Sequence, residues 1–230
     1  MQLKQRDLPE QLSFWNNWHR ERGASGEDEA HRDFRQLFLD GLPEQSNVLD
    51  LGCGQGHDLC AMARAGHRVA GIDFSPVAVR RARRKVYGLR LSRLWRNDIR
   101  VHDISTVLPF SNGRFDGVFS HLALHYFHDD VTRRIFGEIG RVLRPGGLLA
   151  FSVKSTDDPY YGDGEQLGEH IFSRKGHVRH FFDDGYVKDL LQDWVIESTS
   201  SRRGHYACSE PSAFIRVVAR KAHAGAGATS

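Results

Sequence analysis

A short apolar run ends in a carboxylate and breaks at once into glycines: Val48-Leu49-Asp50-Leu51-Gly52-Cys53-Gly54-Gln55-Gly56. A helix-compatible stretch, Leu59 to Arg64, follows it. Strand, glycine loop and helix in that order let a backbone approach a ligand closely at the carboxyl edge of a parallel sheet. The glycines fall at alternate positions. A dinucleotide fingerprint, G-x-G-x-x-G, would need its third glycine at position 57, which is His57. Taken alone, such a turn also reads as a plain tight connection.

The same grammar repeats downstream. Arg68-Val69-Ala70-Gly71-Ile72-Asp73 is a second strand tipped by an acid, at the distance where a carboxylate reaches a ribose hydroxyl in nucleoside-binding folds. Ser75-Pro76 supplies an N-cap and a first-turn proline for a helix to about Tyr87. The run Arg80, Arg81, Arg83, Arg84, Lys85 on that helix reads as a solvated face. Ile99 to Asp103, Phe115 to Ser120 and Leu148 to Val153 predict the third to fifth strands, and Leu91 to Asn97 could extend either neighbour of the third. Val131 to Leu143 predicts a helix, with Ile135, Ile139 and Leu143 at intervals of four. A short helix is expected at Gly185 to Asp193 and two late strands at Val195 to Ser198 and Ala213 to Ala219. This alternation gives an α/β fold with a doubly wound, mostly parallel sheet of seven strands. Both acidic tips and the glycine loop then face one crevice, a site for a nucleoside-bearing ligand.

Residues 12 to 40 predict helices broken by a polar loop from Gly23 to Glu29, and the first opens on Phe14-Trp15-Asn16-Asn17-Trp18. Phe14 and Trp18 share a helical face, which suits a lid packed on the core or an aromatic wall over a ligand. Asp157 to Gly168 is rich in Gly and Asp and reads as a surface insertion. With 230 residues the chain suits one domain. Residues 1–222 form that domain, with a helical cap at 1–43, a core at 44–222, an insertion near 155–182, and a tail at 223–230 expected to be disordered. A net charge of +3 is too weak to argue for nucleic acid without a focused patch. No apolar run approaches the roughly 20 residues of a membrane span, and the start lacks the apolar core of a signal peptide, so a cytoplasmic location is expected. Three cysteines, Cys53, Cys60 and Cys208, make no disulfide framework.

Four elements in register resemble class I S-adenosylmethionine-dependent methyltransferases. Val48 to Gly56 looks like the first motif and Gly71-Ile72-Asp73-Phe74-Ser75 like the second. Asp103-Ile104 with Leu108-Pro109-Phe110, then Phe115-Asp116-Gly117-Val118, resemble the third and fourth. Leu143-Arg144-Pro145-Gly146-Gly147-Leu148 is similar to the turn before the fifth strand. The amino-terminal tryptophans loosely resemble thiopurine methyltransferases, and Ser120 to Phe127 tellurite-resistance-type methyltransferases. The resemblance implies a Rossmann-like seven-stranded sheet with its last strand antiparallel and a helical lid at the amino terminus. It implies that S-adenosylmethionine is the cofactor and S-adenosylhomocysteine the product. Gly52, Cys53, Gly54 and Gly56 would bring backbone N–H groups to the methionine end, and Asp50 would receive its ammonium. Asp73 would accept the ribose hydroxyls, Phe74 would lie against the adenine, Asp103 would take the adenine amino group and Ile104 would supply apolar contact. Ser120 and His121 would face the methionine moiety and the sulfonium.

The expected reaction is in-line methyl transfer to a heteroatom (S, O or N, with a slight lean to S) of a small molecule. Alignment of well-oriented reactants supplies roughly 7–11 kcal/mol of such a barrier. A thiol acceptor, with a pKa near ~8.5, is partly ionised without help, whereas an alcohol would benefit from a histidine base. Candidate bases are His121, His125 and His180. Trp15, Trp18, Tyr160 and Tyr161 could wall the acceptor pocket, and Lys154 and Arg179 could hold an anionic acceptor. His121, His125 and His128 have ligand-like spacing for a metal, but no H-E-x-x-H motif or cysteine pair accompanies them and no metal is expected. The expected partner is a small-molecule acceptor, with no membrane and no nucleic acid. An RNA- or protein-directed methyltransferase and a non-catalytic cofactor-binding module are the alternatives. The sequence leaves the oligomeric state open.

Overall fold

The computed structural model describes residues 7–21, 29–89, 98–174, 176–206 and 210–223. The loop expected from Gly23 (apart from Glu29, which begins a helix), the ambiguous 91–97 stretch, Cys208 and the tail beyond 223 lie outside the described residues.

The apolar run of the first motif forms β1 (Asn47–Leu51), buried on both faces from Val48 onward, as the central strand of a two-sided sheet must be. Around it stand β2 (Arg68–Asp73), β3 (Asp98–Val101), β4 (Phe115–His121) and β5 (Leu143–Lys154), all parallel, and the pair β9 (Trp194–Tyr206) and β10 (Glu210–Lys221). The strand order is β3-β2-β1-β4-β5-β10-β9. β10 is antiparallel to both β5 and β9. This is the expected doubly wound α/β sheet of seven strands with its last strand reversed.

Helices cover both faces. α2 (Glu29–Asp40), α3 (His57–Arg64) and α4 (Pro76–Gly88) lie on one side, where Phe34, Phe38, Leu59, Met62, Val79 and Val86 share a core. α5 (Asp129–Val142) and α6 (Asp184–Leu190) bury Val131, Ile135, Ile139 and Val187 on the other. α4 begins as its sequence predicts: Ser75 caps it, its hydroxyl accepting from Ala78 N at 3.2 Å, and Pro76 opens the first turn. The chain reverses direction in the sheet between β1 and β4. In open parallel sheets the ligand crevice lies at that point, beyond the carboxyl ends of the strands.

Three parts differ from the expectation. The insertion is not a plain surface loop but a small antiparallel sheet, β6 (Glu165–Gly168), β7 (Ile171–Arg174) and β8 (His177–His180). Its four-residue strands carry Gly, Glu, Gln, Arg and His, so no alternating apolar pattern announces them. β9 and β10 are far longer than expected because the two pair with each other well beyond the reach of β5. β5 starts at Leu143, so the turn around Pro145 is taken into the strand, with an irregular register where β4 meets it. No helix among the described residues is long and apolar enough to cross a membrane.

Candidate active site

The glycine loop is shaped by close approach. Gly52 has φ +73°, and a Cβ there would overlap Ala123 Cβ from the turn after β4. Gly54 has φ +50°, and an added Cβ would meet nothing nearer than His19 Cε1 at 3.5 Å. One glycine thus admits a neighbouring loop, and the other lies against the His19 ring of the helix above it. The N–H groups are a correction to the expectation. Gly52 N and Cys53 N donate to Ile72 O, Gly56 N donates to Cys53 O, and Gly54 N donates to Asp73 Oδ2 at 2.9 Å. All four are engaged because the loop folds back onto the end of β2, and the Cys53 side chain is buried in the core. With these four N–H groups engaged, the loop is poorly suited to pyrophosphate.

The space beside the loop is acidic and polar. Asp50 is buried, and its Oδ2 has no hydrogen-bond partner among the described residues. Burial, then Asp58 and Asp73, push its carboxyl well above the usual carboxylate range. A buried carboxylate oxygen without a partner is costly, and an ammonium group placed against it would relieve that cost. Asp73 sits at the tip of β2 with Oδ1 accepting from Ser75 N at 2.8 Å. Burial raises its pKa to about 6 against those two backbone hydrogen bonds. Each of its oxygens keeps a further lone pair for a ribose hydroxyl. Phe74 is half-buried beside it. Asp103 follows β3, its Oδ1 accepting from Ser105 N at 2.9 Å, and Ile104 is buried. An amino-acid end, a ribose and an adenine therefore meet chemically suitable groups along this edge, and the residues fit S-adenosylmethionine.

Beneath Asp50 lies a cluster that the sequence did not single out. Asp58, in the first turn of α3, accepts from Arg35 Nη1 and lies 2.8 Å from His31 Nε2, both on α2. Burial opposes its ionisation, but His31 and Arg35 hold its pKa well below the usual range. The His31 ring lies 3.9 Å from that of His121, whose Nδ1 is 2.6 Å from Ser152 Oγ. The signal available in the sequence was His31 and Arg35, four apart on the apolar face of α2.

α1 (Asp7–Glu21) spans the crevice. On the cofactor side Ser75 Oγ donates to Asn16 Oδ1 at 2.6 Å, and Gln55 Nε2 donates to His19 O. On the insertion side Gln11 Nε2 donates to Gly176 O at 2.7 Å, and the Phe14 ring lies 3.8 Å from that of His177. Between them Trp15 packs edge-on to Trp18 at 5.9 Å and to Tyr126 at 4.9 Å. His19 is buried over Gly54, where burial and then Arg81 lower its pKa to about 4.

The three candidate bases separate. His121 is held between Ser152 and His31, and burial and then His31 push its pKa well down. Ser120 is fully buried and its hydroxyl donates to Leu51 O, so its side chain ties β4 to β1 instead of facing a ligand. His180 lies on the face of β8 opposite Arg179, between Phe182 and Tyr186. Burial, its largest cause, lowers its pKa to about 4. His125 is fully buried in the turn after β4, and neither ring nitrogen has a hydrogen-bond partner among the described residues. That turn is sharp: Leu122 has φ +55°, and the segment is held by Leu122 N donating to Ser152 O and His180 N donating to His125 O.

The aromatic and basic candidates also divide. Tyr160 lies under two guanidinium groups, Arg174 at 5.3 Å and Arg179 at 5.8 Å. The Tyr161 hydroxyl is 2.7 Å from His170 Nδ1, and its ring packs on Phe172 and Phe181, so it braces the insertion sheet. Lys154 is buried and paired with Asp158 at 2.8 Å, with Ser212 Oγ at 2.6 Å. It is a core ion pair, not the acceptor anchor expected of it. His121, His125 and His128 lie on a strand end, a turn and a helix cap, and the described residues contain no group of three metal-ligating side chains.

Residues 48–147 match the methyltransferase domain family. An uncharacterized methyltransferase of Synechocystis sp. is 37% identical over 120 residues, 51% of this chain and 52% of that protein, so the chain spans about half of that relative's length. A methyltransferase of Methanosarcina mazei has the same fold with a TM-score of 0.69 at 23% identity, covering 82% of this chain and 98% of that one. The 1,6-didemethyltoxoflavin-N1-methyltransferase of Burkholderia thailandensis, solved with its substrate and S-adenosylhomocysteine, gives 0.67 at 22% identity over 91% and 86% of the two chains. At these identities the two structures share the fold alone. Over residues 48–147 the chain thus resembles class I S-adenosylmethionine-dependent methyltransferases, and it shares their fold.

Proposed function

We propose that the protein methylates a heteroatom of a small molecule. The observation that carries this reading is α1, which rests on the glycine loop and α4 on one side and on the insertion sheet on the other. A helix bridging the crevice leaves a macromolecular acceptor no approach unless the whole bridge lifts. A small acceptor needs only a closed chamber.

Asp50 holds the ammonium, Asp73 the ribose and Asp103 with Ile104 the adenine, while Phe74 lies against the base. Bound in that way, S-adenosylmethionine supplies a methyl carbon already activated for displacement. The remaining work is alignment and exclusion of water, which α1 performs with Trp15 and Trp18 over the reacting centre. Sulfur, oxygen and nitrogen acceptors are all compatible, with a lean to sulfur because a thiolate needs no base. A labelled-methyl transfer screen over thiols, phenols, amines and heterocycles tests the reading. Labelled product from small acceptors supports it. Labelling of RNA or protein in preference to every small acceptor would overturn it.

A further inference from the structure

We propose that the methyl acceptor is a planar aromatic anion whose charge is held by Arg179. The inference rests on the methyltransferase reading above and names the substrate class for the same site. It begins with the cations around the crevice. Arg35, Lys154 and Arg174 each stand 2.8 Å from an aspartate oxygen, those of Asp58, Asp158 and Asp163. Arg179 has no carboxylate partner among the described residues; its guanidinium lies over the Tyr160 ring. Arg174 shares that ring and is already neutralised, so the pair differs in just the respect that matters for a ligand.

The direction of Arg179 follows from the pleat. On β8, His177 and Arg179 share one face, and Val178 and His180 the other. His177 meets Phe14 and Gln11 of α1, so Arg179 lies on the lid side. His180 packs away from it, on Phe182 and Tyr186. Tyr160 thus lies beneath the half-buried guanidinium, and the lid helix packs on the same face of β8 through Phe14 against His177. A guanidinium stacked on an aromatic face and without a carboxylate partner suits a flat ligand that carries negative charge.

His125 completes the case. The titratable and charged groups that act on it are Lys154 of β5, Arg179 and His180 of β8, and His121 of β4. Burial, then Lys154 and Arg179, hold its imidazole neutral. An imidazole among cations is a poor proton acceptor, so it cannot serve as general base for an alcohol. It can still donate one N–H to an anion, which would satisfy a ring nitrogen that has no partner within the protein. The chemistry balances without a base. A lone pair on the acceptor heteroatom forms the bond to the methyl carbon as the carbon–sulfur bond breaks, and that pair returns to sulfur. The anion and the sulfonium become two neutral products, and no proton remains to be removed.

The test uses the full chain saturated with S-adenosylhomocysteine and 4-nitrophenol as probe, because only the phenolate is yellow. Titrations below the ionisation point of the free phenol read the form that binds. The expected result is yellow bound phenolate at a pH where the free probe is colourless. Arg179→Gln should weaken probe binding at least about tenfold, the value of a charge-assisted hydrogen bond, and Arg179→Lys should recover part of it. S-adenosylhomocysteine affinity measured by calorimetry should be unchanged in both variants. Binding of the neutral phenol, full binding in Arg179→Gln, or no binding at millimolar probe overturns the proposal. Failure of the unsubstituted protein to bind S-adenosylhomocysteine would instead sink the cofactor reading.

Discussion

Asp73 offers the sharpest test of the proposed cofactor site, because its burial favours the protonated form whereas its proposed ribose contact favours the ionised one. It clamps the glycine loop through Gly54 N and Ser75 N, and it is the proposed acceptor for the ribose hydroxyls. Its pKa stands at about 6 against an ordinary 3.8, so the free protein takes up a proton at this site on folding. The stability linked to that proton is fully present below about pH 4 and is lost as pH rises through about 6. The rise corresponds to about 3 kcal/mol at most. Ribose hydroxyls donate to the ionised form, so cofactor affinity runs the other way. It climbs up to about tenfold per pH unit below 6 and levels off above. Asp73→Asn removes the titration. It keeps one acceptor oxygen but turns its amide nitrogen toward one of the two backbone N–H donors, which costs about 1–3 kcal/mol of stability. At pH 7.5 the variant should bind S-adenosylhomocysteine about 1.5–3 kcal/mol more weakly than the parent, and by pH 5 the gap should narrow about tenfold. Calorimetry across that range gives the affinity, and urea unfolding gives the stability. A gap that stays constant from pH 5 to 7.5, or no gap at pH 7.5 in a folded variant, would refute the ribose role.

Other outcomes follow from the same contacts. Gly54→Ala should fold with a loss of about 1–2 kcal/mol from its left-handed backbone yet fail to bind S-adenosylhomocysteine, whereas Gly52→Ala should lose more stability because its Cβ overlaps Ala123; equal stability in the two would contradict the packing. Arg35→Met should destabilise by about 3 kcal/mol, the lower end for breaking a buried ion pair, since His31 still faces Asp58; urea unfolding reads this. Asp58 is held low, so the stability it contributes is present above the ordinary carboxylate range and is lost as pH falls below it. An Asp58→Asn variant should therefore show a flatter acid limb in thermal unfolding, and an acid limb identical to the parent's counts against the cluster. Trp15→Ala removes the edge-on contact that ties α1 to Tyr126, worth about 1 kcal/mol, so S-adenosylhomocysteine should leave roughly fivefold faster in stopped flow. An unchanged rate would mean that α1 does not close the site.

The parts of this molecule that could be read in the sequence are those where local pattern and global fold agree. Val48 to Gly56, the acid at 73 and the Ser75-Pro76 cap each carry a short-range signal, and each forms the element it predicts. The insertion sheet could not be read, because β6, β7 and β8 are held by pairing with one another and by Tyr161 against Phe172 and Phe181, not by an apolar period. The hydrogen bonds of the glycine loop escaped for a related reason: whether Gly54 N–H is free depends on Asp73, far along the chain. The same holds for Lys154, which looks like an exposed anchor at a strand end until Asp158 and Ser212 enclose it. The three histidines share one residue type and three different surroundings, and only tertiary structure tells those surroundings apart.

The bridging position of α1 has a kinetic consequence. Its contacts to Ser75 and Gln55 adjoin the proposed cofactor site, and its contacts to Gly176 and His177 adjoin the proposed acceptor site. One rigid body thus serves two doorways, and neither opens while the other stays shut. Admission and discharge become a single gated event per cycle, so the pace of this catalyst would be governed by how often one helix lets go.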